Sequence, residues 1–216
     1  MHTITLLGHT LQLLAEKAIY LPQRRLLLVA DVHLGKSETF QAAGVPIPNA
    51  INQATLMRLR HLCDRHEPTK LVILGDLFHS RLALVEEVRH AWAQFLAQIQ
   101  LPVSLIVGNH DRALGGQLEQ LGVHCIPEPF SLDTLILSHT PHPQPQHLNL
   151  CGHIHPCIQL KTRLDRLRLP CFYLDQNYTL ILPSFGEFTG GYELPLRPQT
   201  TAFAVVDNTV VPLTGR

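Results

Sequence analysis

The sequence predicts an α/β fold with four layers, an α-β-β-α sandwich in which two mixed sheets face each other. Apolar strands alternate with helices as far as Ile126, which indicates a largely parallel sheet covered by helices. From Phe130 onward, short strands follow one another without a convincing helix, which indicates a second sheet. No repeat or low-complexity linker divides the 216 residues, and 45% of them are hydrophobic, so we expect a single domain over 1–216.

The first half of the chain has a regular order of predicted elements. Residues 2–20 alternate loosely and predict a hairpin that leads into a third strand at 18–21. A continuous apolar run over 25–30 suits a central strand, residues 37–48 predict a loop, and Asn49 is a candidate N-cap for a helix of about 17 residues ending near His66. We further expect strands at 70–74, 102–107 and 123–126, and helices at 82–98 and 113–121.

The second half predicts strands that are separated by turn residues. They are expected at 132–139, 148–152, 157–163, 168–174, 178–183 and 201–206. The proline- and histidine-rich residues 141–147 predict a surface loop.

Composition limits the classes of function. Lysine plus arginine and aspartate plus glutamate each number 17, so no overall charge indicates a polyanion-coated or membrane-surface protein, and any phosphate binding must be local. Five cysteines without a C-x-x-C pair favour reduced thiols. The first residues lack the pattern of a signal peptide, and no apolar run is long enough to span a bilayer. We therefore expect a cytoplasmic protein with no membrane partner.

Polar side chains gather where the predicted strands end. The chain has 14 histidines, and several fall at these positions. Because ligands bind beyond the carboxyl ends of strands in α/β sheets, we expect these side chains to converge. Two pairs are spaced two residues apart, which in an extended chain places both side chains on one face. The candidate metal ligands are Asp31, His33, Asp76, Asn109, His139, His153 and His155.

Seven nitrogen and oxygen ligands exceed the needs of one ion. Two divalent ions about 3.5–4 Å apart that share one carboxylate would use them all, and Asp76 is the natural bridge. Imidazole with carboxylate suits manganese, iron, zinc or nickel, and we expect manganese. The other histidines, at 61, 66, 79 and 90, are interpreted as core or surface residues.

Two motifs that look functional are interpreted otherwise. ADVHLGKS, from Ala30, nearly matches a phosphate-binding loop, but alanine replaces the first glycine and Asp31 would lie where phosphate binds. The stretch from Cys151 to Cys157 has the composition of a zinc site with two cysteines and two histidines. In an extended segment the two thiols would lie about 20 Å apart, too far for one ion, so we expect packed thiols.

The ordered set D-x-H, G-D, G-N-H-D, H and G-H-x-H resembles the calcineurin-like metallophosphoesterase superfamily. This resemblance implies a two-metal hydrolase of phosphate esters on a four-layer sandwich. It assigns His110 as a catalytic histidine that is not a ligand. It also implies two ligand sets, which are Asp31, His33, Asp76 and His155 for one ion and Asp76, Asn109, His139 and His153 for the other.

Three further stretches, ADVHLGK, LGDLFHSR and LPSFGEFTGG, are similar to the ligase-associated subfamily PdeM. The likeness implies a bacterial phosphodiesterase or DNA endonuclease of the DNA damage response, linked to an ATP-dependent DNA ligase, a helicase and an exonuclease. Lys36 and Arg81 within these stretches are candidate substrate-binding residues. Arg81 lies one position later than the arginine of the commonest superfamily pattern.

The chemistry expected of such a site is phosphodiester cleavage. Two ions would lower the pKa of a bridging water enough to supply a bridging hydroxide and would neutralise charge on the phosphoryl oxygens. His110 would donate a proton to the leaving oxygen or stabilise its charge, and Asp111 or another nearby carboxylate could hold the imidazole in the right tautomer. The predicted function is therefore a metal-dependent phosphodiesterase, a DNA endonuclease acting in repair.

Two alternatives stay open at this point. A small-molecule phosphodiesterase or pyrophosphatase, acting on a cyclic nucleotide, a dinucleotide or a nucleotide sugar, agrees with the balanced charge. Against it, Arg163, Arg166 and Arg168 could steer a nucleic-acid backbone. An inactive binding module of the same fold would be expected to lack His110 or several ligands, and this chain has them all.

Overall fold

The computed structural model describes residues 1–45, 50–161, 166–187 and 189–215. The first sheet has seven strands in sequence order, antiparallel from β1 to β4 and parallel from β4 to β7. They are β1 His2–Leu6, β2 His9–Leu14, β3 Ala18–Leu21, β4 Leu26–Val29, β5 Lys70–Leu74, β6 Val103–Ile106 and β7 His124–Ile126.

Helices cover one face of this sheet. They are α1 Lys36–Ala42, α2 Ala50–His66, α3 Glu86–Ile99 and α4 Gln117–Gln120, with 3-10 turns at Arg81–Ala83 and Asp111–Ala113. The helices bury Leu59, Trp92 and Phe95 in one cluster with Ile73 and Leu105 of the central strands. The continuous apolar runs of β5 and β6 follow from this burial, because their other face is covered as well.

The second sheet has nine strands, with β9, β10 and β13 parallel at its centre. The pairings around them are antiparallel, except that β14 pairs parallel with β11. They are β8 Phe130–Leu132, β9 Leu135–Leu137, β10 Leu148–Cys151, β11 Pro156–Lys161, β12 Arg166–Leu174, β13 Thr179–Ile181, β14 Tyr192–Glu193, β15 Thr201–Val206 and β16 Thr209–Thr214.

The two sheets bury a common core. Leu28, Leu74 and Ile106 of the first sheet lie in one apolar cluster with Leu150 and Phe172 of the second. The predicted α/β sandwich of two facing mixed sheets is therefore confirmed. Within the described ranges, no helix has both the length and the apolar character needed to cross a membrane.

The outer face of the second sheet is covered differently from that of the first. No helix follows Gln120 in the described residues. Leu194 and Leu196, from an irregular segment, pack instead on the small side chains of Cys171 and Ala202, and the Tyr173 hydroxyl donates to the Pro195 carbonyl at 2.9 Å. Small residues make this face shallow, so a single extended segment can fill it.

Several predicted boundaries differ from the structure. The loop expected over 37–48 is wrong at its start, because α1 begins at Lys36 after Gly35 takes the left-handed conformation at φ 74°. The predicted strand 132–139 is only β9 over Leu135–Leu137, the preceding strand β8 was not predicted, and α3 begins at Glu86 rather than at 82. The short strands β14 and β16 were not predicted. Asn49, the expected N-cap, lies outside the described residues.

Candidate metal centre

The candidate ligands lie on the loops that follow five strands, at the carboxyl ends of β4, β5, β6, β9 and β10. Five of them have left-handed backbone conformations with φ between 50° and 69°: Asp31, His33, Asp76, His153 and His155. The extended backbone expected for the two pairs is therefore wrong. Asp31 and His33 belong to one cluster, whereas His153 and His155 belong to different clusters. Side-chain-bearing residues at positive φ are strained and occur most at functional sites.

Asp31, His33 and His155 form the first cluster, in which one ligand atom of each lies within 4.8 Å of the others. Asp31 Oδ1 faces His155 Nε2 at 3.3 Å, and neither buried atom has a hydrogen-bond partner among the described residues. His155 Nδ1 donates to the Gly190 carbonyl at 3.2 Å, so Nε2 carries a lone pair. Two buried, facing lone pairs are unfavourable by themselves and fit a cation between them.

Asp76, His139 and His153 form the second cluster. His139 Nδ1 donates to the Leu74 carbonyl at 3.1 Å, which leaves Nε2 as an acceptor. That nitrogen lies 2.8 Å from Asn109 Oδ1 and 3.1 Å from His153 Nδ1. Acceptor atoms that point at each other again fit a metal ion, and the Leu74 carbonyl anchors the outer nitrogen of His139.

Asp76 lies between the two clusters. Its Oδ2 atom is 3.5 Å from His139 Nε2 and 4.0 Å from His33 Nε2, while Oδ1 accepts the His110 backbone N–H at 2.9 Å. Burial raises the pKa of Asp76 and, together with nearby positive groups, lowers the pKa of His33 to about 2. His33 is therefore a neutral imidazole, the form that binds metals.

His110 lies at the rim of the site. Its Nδ1 donates to the His79 carbonyl at 2.5 Å, and its ring stacks on the His79 ring with centroids 5.2 Å apart. Nε2 lies 3.9 Å from Asp76 Oδ2 in a side chain that is 37% exposed. The nitrogen that can meet a substrate is thus Nε2, in an orientation fixed by a backbone carbonyl.

The structure contradicts the role expected of Asp111. Its buried carboxylate accepts the backbone N–H groups of Asp76 at 2.7 Å, Gly108 at 3.0 Å and Leu77 at 3.0 Å. It therefore ties the β5 and β6 loops together, and the His79 carbonyl holds the imidazole in its place. Burial raises the pKa of Asp111 to about 6 even though these N–H groups oppose the shift.

Sequence reasoning missed two residues of the site. His79, interpreted as a core or surface histidine, places Nδ1 3.5 Å from His33 Nδ1, and burial lowers its pKa to about 4. Its position three residues after Asp76 was the available signal. Glu128 accepts the N–H groups of His139 at 2.9 Å and Thr140 at 3.0 Å, and nothing in the sequence around it indicated this.

The two candidate substrate-binding residues have different surroundings. Lys36 is half-buried with Nζ 5.9 Å from the Phe40 ring centroid, and its charge contributes to the lowered pKa of His33 and His79. It therefore lies beside the first cluster. Arg81 is exposed, and its Nε donates to the Ala113 carbonyl. That contact brings Arg81 to the turn that follows His110.

Two glycines allow the loops to approach this closely. A Cβ atom on Gly75 would lie 1.9 Å from His139 Nδ1, and one on Gly152 would lie 2.5 Å from Asp31 Oδ2. Gly75 also has φ 82°, a conformation that side chains disfavour. Glycine at these positions lets ligands of the two sheets meet across the gap between them.

Residues 184–186, within the LPSFGEF stretch, support the Asp31 loop from behind. The Ser184 hydroxyl donates to the Asp31 carbonyl at 2.8 Å, and the Gly186 N–H donates to the same oxygen at 3.0 Å. The Phe185 N–H donates to the Ala30 carbonyl at 2.8 Å. A stretch that the sequence marked only through its subfamily likeness thus holds the first cluster in position.

Comparisons with known proteins agree with this geometry. The sequence pattern of the Calcineurin-like phosphoesterase family matches residues 24–133. The chain is also similar to a solved structure, the Pseudomonas putida nuclease MPE, with 39% identity and a TM-score of 0.83 over 98% of this chain and 99% of that one. A search of curated proteins found no match.

Proposed function

Because this chain belongs to the calcineurin-like phosphoesterase family and is therefore a metallophosphoesterase, we propose that it is a phosphodiesterase that cleaves DNA with two metal ions. The observation that carries the proposal is the position of Asp76 between the two ligand clusters, where its Oδ2 atom lies 3.5 Å from His139 Nε2 and 4.0 Å from His33 Nε2. One shared carboxylate between two ligand sets is the arrangement of two-metal phosphoester hydrolases.

The proposed ligand sets follow the distances within each cluster. Asp31, His33, Asp76 and His155 would hold the first ion. Asp76, Asn109, His139 and His153 would hold the second. The ligand types suit manganese, and iron, zinc and nickel fit the same imidazole and carboxylate set.

The ions, when bound, would lower the pKa of a water molecule and neutralise charge on the phosphoryl oxygens. The chain's own residues supply the rest of the chemistry. With Nδ1–H donated to the His79 carbonyl, His110 in its protonated form carries its other proton on Nε2 and can give it to the leaving oxygen. Lys36 is close enough to place positive charge beside the phosphate.

Two observations support nucleic acid as the substrate. The similar solved structure is that of a nuclease, and the site has an open edge at the exposed side chains of Asn109 and His153, where a polymer can pass. We further propose that the chain belongs to the PdeM subfamily and acts in DNA repair with an ATP-dependent ligase, a helicase and an exonuclease. We also propose that residues 1–216 form one domain and that the protein is cytoplasmic.

Charge favours a second candidate, a small-molecule phosphodiesterase. Basic and acidic residues are equal in number, and several arginines form hydrogen bonds or ion pairs within the protein. Arg58 donates to Glu187 and to the Phe185 carbonyl, and Arg65 pairs with Glu16 at 2.8 Å. These side chains add little to a basic surface of the kind nucleic-acid binders present.

One assay distinguishes the two candidates. Purified protein with added manganese is compared on bis-p-nitrophenyl phosphate, cyclic nucleotides, and single- and double-stranded DNA. We expect metal-dependent cleavage of bis-p-nitrophenyl phosphate and DNA, and loss of both in His110→Asn. Cleavage of cyclic nucleotides alone would replace DNA by a small substrate, and full activity in His110→Asn would contradict the role given to His110.

A further inference from the structure

A cavity of about 300 Å³ lies directly beside the first cluster, and His155, Lys17, Arg168, Glu187, Gly190 and Pro170 contribute to its lining. We propose that it binds the nucleotide next to the scissile phosphate, with Lys17 and Arg168 contacting the adjoining phosphate. This inference rests on the proposed function, because it specifies how a nucleic-acid strand would lie at the same site.

The cavity shares its wall with the metal centre. His155 faces Asp31 with Nε2 and donates from Nδ1 to Gly190, a residue of the cavity lining. Ser184 and Gly186, which also line it, both donate to the Asp31 carbonyl. A group in the cavity is thus separated from the first cluster by the His155 side chain.

Arg168 presents a fixed positive charge to this cavity. Its Nε donates to Cys157 Sγ at 3.0 Å, and a terminal nitrogen donates to the Gly191 carbonyl. Among the described residues, no carboxylate lies within ion-pair distance of its guanidinium. The two bonds hold the planar group in place and leave further N–H groups available, which suits recognition of a phosphate.

Lys17 supplies a second positive charge from the turn between β2 and β3. Its side chain is 19% exposed, with Nζ 3.8 Å from Glu187 Oε1. Glu187 also pairs with Arg58, so two cations share one carboxylate, whereas Arg168 pairs with none in the described part of the chain. Lys17, Arg58 and Arg168 together exceed Glu187 in charge, so the cavity is a favourable place for an anion.

The size and the walls of the cavity also suit a nucleotide. Its volume is at the lower end of the range of roughly 300–1,000 Å³ for pockets that bind small ligands, and therefore has room for about one nucleotide. Pro156, Pro170 and Pro183 give it rigid apolar surfaces against which a base or a sugar can pack.

The test compares two substrates of the manganese-loaded protein. A short single-stranded oligonucleotide has phosphates on both sides of the cleaved bond, whereas bis-p-nitrophenyl phosphate has a single phosphate. In Lys17→Gln and in Arg168→Gln, we expect kcat/KM for the oligonucleotide to fall about tenfold relative to kcat/KM for bis-p-nitrophenyl phosphate. The salt dependence of oligonucleotide binding should also weaken, by about 0.7 in log–log slope for each lost phosphate contact.

Two more variants complete the design. Glu187→Gln removes the carboxylate that competes for Lys17, so oligonucleotide KM should fall, a direction that a purely structural role does not produce. Arg60→Gln removes an equal charge from an exposed residue that pairs with Asp64 at 3.6 Å. This control should leave the ratio of the two kcat/KM values, oligonucleotide over bis-p-nitrophenyl phosphate, unchanged.

The outcomes separate the two proposals. The nucleotide site alone is overturned if the unaltered protein cleaves DNA and neither Lys17→Gln nor Arg168→Gln changes kcat/KM for the oligonucleotide relative to kcat/KM for bis-p-nitrophenyl phosphate. Equal losses on both substrates would show that Arg168 only supports the Gly190 loop and would also overturn it. Failure of the unaltered protein to cleave either substrate overturns the proposed function, and the nucleotide site with it.

Discussion

The two ligand clusters differ in their access to water. Asp31 and His33 of the first cluster are buried and His155 is half-buried, with the Ser184–Gly186 backbone packed behind them. The second cluster has buried Asp76 and His139 but ends in the exposed side chains of Asn109 and His153. Under the proposed function, this difference predicts that the ion at the first cluster is held more firmly and that the ion at the second cluster exchanges and meets the substrate, because the second set of ligands is more open to solvent.

The largest expected effect comes from the residue that joins the clusters. Asp76→Asn replaces the proposed bridging carboxylate by a neutral amide, so both ions should bind more weakly. Activity should fall by more than about 100-fold, which exceeds the usual loss when a residue that only supports a metal ligand is changed. Metal analysis of the purified variant by mass spectrometry measures this. Two full equivalents of metal in Asp76→Asn would show that the clusters do not share it.

His110→Asn should reduce kcat by about 10²–10⁴-fold, the usual contribution of a general acid. His110 groups with His33 and His79 rather than with either proposed ligand set, so metal content should match that of the unaltered protein. Steady-state kinetics and metal analysis on the same preparation test both statements. Loss of metal together with activity would make His110 a ligand and would extend the first cluster toward His79.

Chelation should release the two ions at different rates. With excess EDTA, one equivalent should leave quickly from the second cluster and the other slowly from the first, in two separate phases. His153→Ala should remove the fast phase, whereas His155→Ala should weaken the slow one. A single phase of two equivalents would contradict the difference in exposure between the clusters.

Glu128→Gln should have the smallest effect. Burial opposes ionisation of Glu128, but the N–H groups of Thr140 and His139 outweigh it and lower its pKa, so the ionised carboxylate holds the His139 loop. The neutral amide should weaken metal binding at the second cluster by about tenfold and leave the slow phase intact. Asp133→Asn, at an exposed carboxylate paired with Arg24, is the matched control, and titration with manganese measures both.

The predictable part of the fold was the part with strong local patterns. The predicted bounds of β4, β5, β6 and the 17-residue α2 agree with the structure within about two residues. A strand buried on both faces is a continuous apolar run, and a helix buried on one face has apolar residues at helical spacing, so both can be recognised in the sequence. Helix α1 was not predicted, because its sequence KSETFQA carries few apolar residues and proline and glycine follow it. Strand β16, which contains Pro212 and pairs with β15, depends on a neighbour rather than on its own composition.

The order and kinds of the polar groups at the strand ends are properties of the sequence, and they were sufficient to predict a metal-dependent hydrolase of phosphate esters. Only the tertiary structure decided how these groups are used. Left-handed turns replaced the extended pairs, the His79 carbonyl took the place expected for Asp111, and Glu128 and the Lys17–Arg168 cavity came to lie beside the metal centre. The reason is physical: each of these contacts joins residues distant in sequence, and which carbonyl or carboxylate lies nearest depends on how two sheets pack.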